Sequence, residues 1–191
     1  MIELFGRNSG QTALISGYLA YADRTVISEV PVDVDRLAAL LVSDRAQNPS
    51  HYAVVVVSEG ASIAGGGVIE RGEADAYGHR KLGGIGQILG EELKQRTGIN
   101  VLEQKLGYLM RAGAPDSLDR MVATSFGHQA VQQLEEKATG LMLALHDGIY
   151  TTVPIDTCIS GVKRVDVDEM YDTETYRARI RHLAGKPMFL Y

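Results

Sequence analysis

The sequence predicts an α/β fold, a three-layer sandwich around a mostly parallel sheet, and three observations carry that reading. Short β-prone runs alternate with helical patterns from residue 2 to residue 134. The run Tyr52-Ala53-Val54-Val55-Val56-Val57 lacks polar alternation, as a strand covered on both faces by helices requires. No internal repeat or low-complexity block interrupts the pattern.

Taken in order, residues 2–5 read as a short strand broken by Gly6, and Ala13, Leu14, Gly17, Tyr18 and Tyr21 lie at helical spacing within residues 9–22. Residues 25–28 form a second strand. Residues 31–35 form a loop ending in a helix cap, and Leu37, Leu40 and Leu41 are the buried stripe of the helix that follows. The valine run is the central-strand candidate. Residues 60–86 are Gly-rich and read as a long loop, functional or mobile, after which Ile85, Ile88, Leu89 and Leu93 resume a helical pattern. A strand over residues 101–108 leads to a loop through Arg111 and Gly113. Pro115 and Asp116 then start a long helix whose apolar positions are Leu118, Met121, Val122, Phe126, Ala130 and Leu134. Residues 141–155 read as a hairpin turning at His146-Asp147-Gly148, because Asp-Gly supplies the positive φ such a turn needs. The tail from Val165 is more polar and ends in an apolar tip, Met188-Phe189-Leu190-Tyr191.

A chain of 191 residues with 45% hydrophobic content can bury a core, and its length suits one domain or two small lobes, with one globular domain as the default expectation. The net charge of −5 is spread among interspersed acids and bases, so nucleic acid is not an expected partner. The single cysteine, Cys158, has no partner for an internal disulfide and no neighbour that would activate a thiolate, and it reads as structural. No apolar run approaches the roughly 20 residues that span a bilayer, and Glu3 and Arg7 stand where a signal peptide would be hydrophobic. The expected location is the cytoplasm.

In an open α/β sheet ligands bind beyond the carboxyl ends of the strands, which singles out three junctions. At Phe5-Gly6-Arg7, Gly6 permits a tight turn, Arg7 offers a guanidinium fork, and the next helix offers backbone N–H groups, a set suited to phosphate or, taken alone, an ordinary surface turn. Ser58-Glu59-Gly60 follows the buried valines, and its carboxylate can accept hydrogen bonds from sugar hydroxyls or simply cap a helix. Tyr108 and Arg111 stand three residues apart and can address one phosphate or serve as ordinary loop packing. Together they describe a pocket with two arginines, one acid and one phenol, which suits a phosphorylated polyol better than an apolar ligand.

Other chemistries lack their motifs. There is no Walker-type Gly-Lys-Ser/Thr, no pair of carboxylates at metal spacing and no Ser/His/Asp set in a nucleophile turn. His51, His79, His128, His146 and His182 are scattered without ligand spacing. Gly65-Gly66-Gly67 is followed by Val-Ile-Glu rather than a helix start, which argues against a phosphate cradle.

The same three junctions resemble the 6-phosphofructokinase family. Ile2-Glu3-Leu4-Phe5-Gly6-Arg7-Asn8-Ser9-Gly10 is similar to its Glu-Val-Met-Gly-Arg element, and Val56-Val57-Ser58-Glu59-Gly60-Ala61 to its second sugar-binding element. Leu106-Gly107-Tyr108-Leu109-Met110-Arg111-Ala112-Gly113-Ala114-Pro115, running on to Asp119-Arg120, resembles the stretch Leu-Gly-His-x-Gln-Arg-Gly-Gly-x-Pro. Order and spacing agree over residues 2–155. The resemblance implies a Rossmann-like lobe of the phosphofructokinase fold, in which Phe5, Gly6 and Arg7 contact fructose 6-phosphate and Arg7 stabilises charge near the reacting phosphoryl group. It further implies that Glu59 holds sugar hydroxyls and that Tyr108 and Arg111 bind the 6-phosphate. The implied reaction is the glycolytic transfer of a phosphoryl group from ATP or pyrophosphate to the sugar's 1-hydroxyl, where positioning and charge neutralisation supply most of the catalysis.

The departures shape the expectation. Phe5 replaces a methionine, Tyr108 replaces a histidine, and Leu102 stands where the family has an arginine reaching across from a neighbouring subunit, with Lys105 or Arg120 as replacement cations. Residues 75–84, Tyr108 and residues 170–177 are more like the longer clade with pyrophosphate-dependent members. The donor-binding Gly-Gly-Asp loop and the Thr-Ile-Asp-Asn-Asp element, source of the catalytic base and a magnesium ligand, match nothing in the chain. Residues 1–191 are therefore expected to be the C-terminal, sugar-phosphate-binding half, without the donor-binding half, inactive alone, with Mg2+ held in the missing half and self-association through uncovered apolar surface as a homo-oligomer. Two other readings stand beside it: a non-catalytic sugar-phosphate-binding or regulatory module, and a purely structural interaction domain.

Overall fold

The computed structural model describes residues 1–65, 70–71, 81–82, 84–161 and 163–179. In chain order the elements are β1 (Ile2–Leu4), α1 (Gln11–Leu19), β2 (Arg24–Val26), α2 (Val34–Gln47), β3 (Val55–Ser58), β4 (Glu70–Arg71), β5 (Lys81–Leu82), α3 (Ile85–Thr97) and β6 (Gln104–Lys105). There follow a 3-10 helix (Gly107–Arg111), α4 (Ser117–Glu135), β7 (Leu141–His146), β8 (Ile149–Pro154), a second 3-10 helix (Ile155–Ile159), α5 (Val167–Met170), β9 (Tyr171–Asp172) and β10 (Arg177–Ala178). The chain divides into two units rather than the one domain expected by default: Met1–Arg111 with residues 163–179, and residues 112–161.

In the first unit four parallel strands form a sheet in the order β2-β3-β1-β6. Alternation along β1 and β3 sends Ile2, Leu4 and Val56 toward Ala13 of α1, while Val55 and Val57 pack with Leu37 of α2 and Leu89 and Leu93 of α3. All four residues of β3 are buried, as the unbroken valine run predicts for a central strand with helices on both faces.

Local chemistry sets the helix ends. Asp33 caps α2 by accepting from the Arg36 N–H at 3.0 Å. Helix α3 stops at Gly98, whose φ of +69° suits glycine. At its start, Glu3 of β1, fully buried, accepts from the backbone N–H groups of Gly84 (3.0 Å) and Gly86 (2.9 Å) and pairs with Lys105 at 2.8 Å. A carboxylate in the middle of a strand thus ties β1, β6 and α3 together.

The described part of the polar tail, residues 165–179, contributes side chains to the core. Val165, Tyr171 and Tyr176 are buried, and the Tyr171 hydroxyl donates to the Thr25 carbonyl at 2.5 Å. Arg24 and Asp44 make a buried two-toothed pair, 2.6 Å at each contact, and Arg24 also donates to the Thr175 carbonyl at 2.7 Å. A further strand expectation is corrected: of residues 101–108 only Gln104–Lys105 are strand, because β6 is an edge that pairs on one side alone and Gly107, at φ +49°, turns the chain into the 3-10 helix. Within the stretch read as a long Gly-rich loop, β4 and β5 pair antiparallel. Its remainder, with Gly66, Gly67, His79 and most of residues 75–84, lies outside the described residues, as do His182 and the apolar tip Met188-Phe189-Leu190-Tyr191.

In the second unit, Asp116 and Asp119 cap α4 reciprocally (2.9 and 3.1 Å), so the start signal read from Pro115 and Asp116 holds. Strands β7 and β8 form the expected hairpin, with Asp147 and Gly148 at φ +50° and +78°. Phe126 of α4 meets Tyr150 of β8 edge-on, with ring centroids 5.4 Å apart. Cys158 is exposed and its thiol donates to the Met142 thioether at 3.1 Å. Among the described residues no helix is long and apolar enough to cross a membrane.

Candidate functional site

Because all strands of the sheet run the same way, their carboxyl ends meet at one edge. Phe5 and Gly6 follow β1, Ser28 follows β2, Glu59 follows β3, and the 3-10 helix carrying Tyr108 and Arg111 follows β6. This is where the rule for open α/β sheets places ligands.

The edge is closely built. Gly60 N–H donates to the Gly6 carbonyl at 3.2 Å, and the Glu59 N–H donates to the Leu4 carbonyl at 2.9 Å. A Cβ on Gly60 would lie 2.0 Å from the Arg7 carbonyl oxygen, and one on Gly6, at φ +156°, would lie 2.2 Å from the Ser58 hydroxyl. The Gly60 clash is with backbone, and a Cβ on Gly6 would also lie 2.6 Å from the Ser9 carbonyl oxygen, so only glycine lets the β1 and β3 loops touch. The Ser28 and Ser58 hydroxyls both reach the Gly6 carbonyl, at 2.6 and 2.8 Å.

The expected residues assemble around Phe5. Its ring meets Tyr108 edge-on with centroids 5.5 Å apart, and the Arg111 guanidinium carbon lies 4.5 Å from the ring centroid. Tyr108 and Arg111 occupy positions i and i+3 of a 3-10 helix, whose three-residue repeat sets them on one side. Met110 from the same turn packs against the cluster of Leu4, Ala13 and Val56 and anchors it to the sheet. Glu59 presents its carboxylate to the Gly6 N–H at 3.4 Å. Arg7, next in the chain, is exposed. The arrangement offers guanidinium, phenol and carboxylate groups on an exposed shelf, the donor and acceptor set that a phosphorylated polyol requires.

Leu102 is 85% exposed and brings no charge. Lys105, named as a replacement for the missing arginine, is engaged by the buried Glu3. Arg120 belongs to the second unit. A cavity of about 220 Å³ lies at the opposite end of the sheet, walled by Leu41, Leu93, Ile99 and Val101, and includes none of the candidate residues. Among the described residues no three His, Cys, Asp or Glu side chains converge into a cluster that could hold a metal ion. Ser28, Ser58, Glu29 and Glu3 were missed as contributors. Position just after a strand, the signal that singled out the other junctions, also marks Ser28-Glu29.

Comparison with known proteins bears on the same residues. The family model described as phosphofructokinase matches residues 1–134. An ATP-dependent 6-phosphofructokinase 3 of Streptomyces coelicolor is 35% identical over 166 residues, 86% of this chain and 48% of that protein. A pyrophosphate–fructose 6-phosphate 1-phosphotransferase of the same organism is 34% identical over 167 residues, 87% of this chain and 48% of that protein. The crystal structure of a pyrophosphate-dependent phosphofructokinase from Nitrosospira multiformis superposes with a TM-score of 0.76 at 17% identity, covering all of this chain and 47% of the other. The chain thus spans about half the length of the relatives it matches.

Proposed function

The chain belongs to the phosphofructokinase family, and on that premise we propose that it is the fructose 6-phosphate-binding, C-terminal half of a 6-phosphofructokinase. The whole enzyme would move a phosphoryl group from ATP or pyrophosphate, the two donors named for relatives of near-equal identity, to the sugar's 1-hydroxyl. The observation that supports this most is the meeting of three separate strand ends at Phe5-Gly6, with Arg111 and Tyr108 held against the Phe5 ring and Glu59 facing the Gly6 N–H.

Each group then has a part. Arg111 and Tyr108 bind the 6-phosphate, Glu59 accepts from sugar hydroxyls, and Phe5 and Gly6 line the sugar. Arg7 offsets the charge that accumulates as the phosphoryl group moves, the largest service a protein performs for such a transfer. The base, the donor site and Mg2+ belong to the remainder of the enzyme, and the assembled protein is a cytoplasmic homo-oligomer.

Calorimetric titration of the chain with fructose 6-phosphate, beside an Arg7→Ala/Arg111→Ala double variant, tests the proposal. Saturable binding should weaken at least about 10-fold in the variant, since the charge-assisted bond of Arg111 to the 6-phosphate alone contributes about 1.5–3 kcal/mol. Undiminished binding in the variant would overturn the roles of the arginines. No binding by the folded wild-type chain would overturn the claim that these strand ends suffice to hold the sugar phosphate.

A further inference from the structure

Ser28 and Glu29 follow β2 at the sheet edge that carries the candidate site, and both address the loop Gly6 to Gly10 that bears Arg7. At the near end of the loop, Ser28 Oγ lies 2.6 Å from the Gly6 carbonyl oxygen and 2.7 Å from Ser58 Oγ, which is itself 2.8 Å from that carbonyl. Two hydroxyl protons serve this triangle of three oxygens, so the serines share the work of holding the carbonyl, and the Gly60 N–H reinforces them at 3.2 Å. At the far end, both carboxylate oxygens of Glu29 accept from the Gly10 N–H, at 2.9 and 3.0 Å. A Cβ on Gly10 would lie 2.7 Å from Glu29 Oε2 and 2.4 Å from Ile27 Cβ, so this approach also demands glycine. The same carboxylate accepts from the Val165 N–H at 2.9 Å, fastening the C-terminal segment to the loop.

We propose that Ser28 and Glu29 together form a positioning element for the Arg7 loop: one fixes the direction of the Gly6 peptide, the other fixes Gly10, and Arg7 is presented from a backbone anchored on both sides. The idea rests on the reading of this edge as the sugar-phosphate site. Anchoring matters because a long guanidinium side chain loses rotamer freedom when it binds, and a loop that also had to order itself would add to that loss. Neighbouring residues on one strand end that reach the two flanks of a single loop do more than satisfy their own surroundings, since neither contact lies within the ladder of β2.

Ser28 gives the cleaner test, because Glu29 also holds Val165 and its loss would disturb the core. In the full chain, Ser28→Ala and Ser28→Thr are compared with wild type by amide hydrogen exchange, resolved for residues 6–10 and for β3, and by calorimetry with fructose 6-phosphate. Loss of one hydrogen bond of about 0.5–1.5 kcal/mol should speed loop exchange and raise the dissociation constant by about 2- to 10-fold in Ser28→Ala. Exchange in β3 should stay at the wild-type rate, and Ser28→Thr, which keeps the hydroxyl, should restore both loop exchange and affinity. Wild-type loop exchange in Ser28→Ala, acceleration spread equally over loop and β3, or a loosened loop with unchanged affinity would each overturn the proposal. If the wild-type chain binds no sugar phosphate, the functional reading fails, and the positioning role, which is defined toward that ligand, falls with it. Binding by wild type combined with an unaffected Ser28→Ala loop removes the positioning role alone.

Discussion

In the first unit Leu14, Ile27, Val57, Ala61, Ile85 and Leu89 are fully buried, whereas in the second no described residue is buried and Leu118, Met121, Leu134 and Ile159 stand 59, 59, 73 and 84% exposed. The first unit closes a core around a parallel sheet and carries every candidate residue at one edge of it. The second holds its helix and hairpin with local devices: a reciprocal cap at Asp116 and Asp119, a turn at Asp147-Gly148 and one aromatic contact. Helices and isolated hairpins of this kind are marginal without an apolar face to pack on. Stability and ligand recognition should therefore answer to substitutions in the first unit, and association to those in the second.

The largest effect should come from Asp44→Ala, which leaves the Arg24 guanidinium buried without its two-toothed partner; a loss of about 3–5 kcal/mol in urea unfolding is expected. Leu14→Ala, within the closed core, should follow at about 2–5 kcal/mol. Tyr171→Phe, which leaves the Thr25 carbonyl without its short donor, should remove about 1 kcal/mol near neutral pH. That residue also supplies a pH test. Burial, reinforced by Tyr176, Asp172 and Glu29, holds the Tyr171 phenol well above its ordinary value. Its contribution is therefore intact below pH about 10 and declines as the pH rises beyond that point, so Tyr171→Phe should flatten the alkaline loss of stability. Burial also raises the Tyr176 phenol, so part of the alkaline loss should persist in the variant. The smallest effect is expected from Leu134→Ala in α4, within about 0.5 kcal/mol. A cost there equal to that of Leu14→Ala would break the contrast between the units.

What could be read from the sequence divides along physical lines. The strand at β3 was legible because Val55, Val56 and Val57, buried in succession, leave an unbroken apolar run, and the hairpin because Asp-Gly has few other uses between β-prone segments. The candidate residues Phe5, Gly6, Glu59, Tyr108 and Arg111 were legible because strand ends are where an open sheet gathers its ligands, and their ring and hydrogen-bond contacts now join them. Residues 101–108 misled because β propensity says nothing of sheet order: at the edge only Gln104–Lys105 find a partner. Glu3, Arg24 and Asp44 were illegible as core residues, since a charged side chain announces solvent until its partners are known. Ser28 and Glu29 carried the strand-end signal, but their role was not legible because their contacts are to backbone atoms of a loop about twenty residues earlier.

The measurement that tests the central claim most directly is amide hydrogen exchange of the chain with and without saturating fructose 6-phosphate. Protection should appear at residues 5–10, 58–60 and 107–111, the loops that meet at Phe5 and Gly6, while α4 and the β7–β8 hairpin exchange at their unliganded rates. Protection confined to the second unit, or none at the three strand ends under conditions where binding is saturated, would contradict the assignment of the sugar-phosphate site to this edge of the sheet.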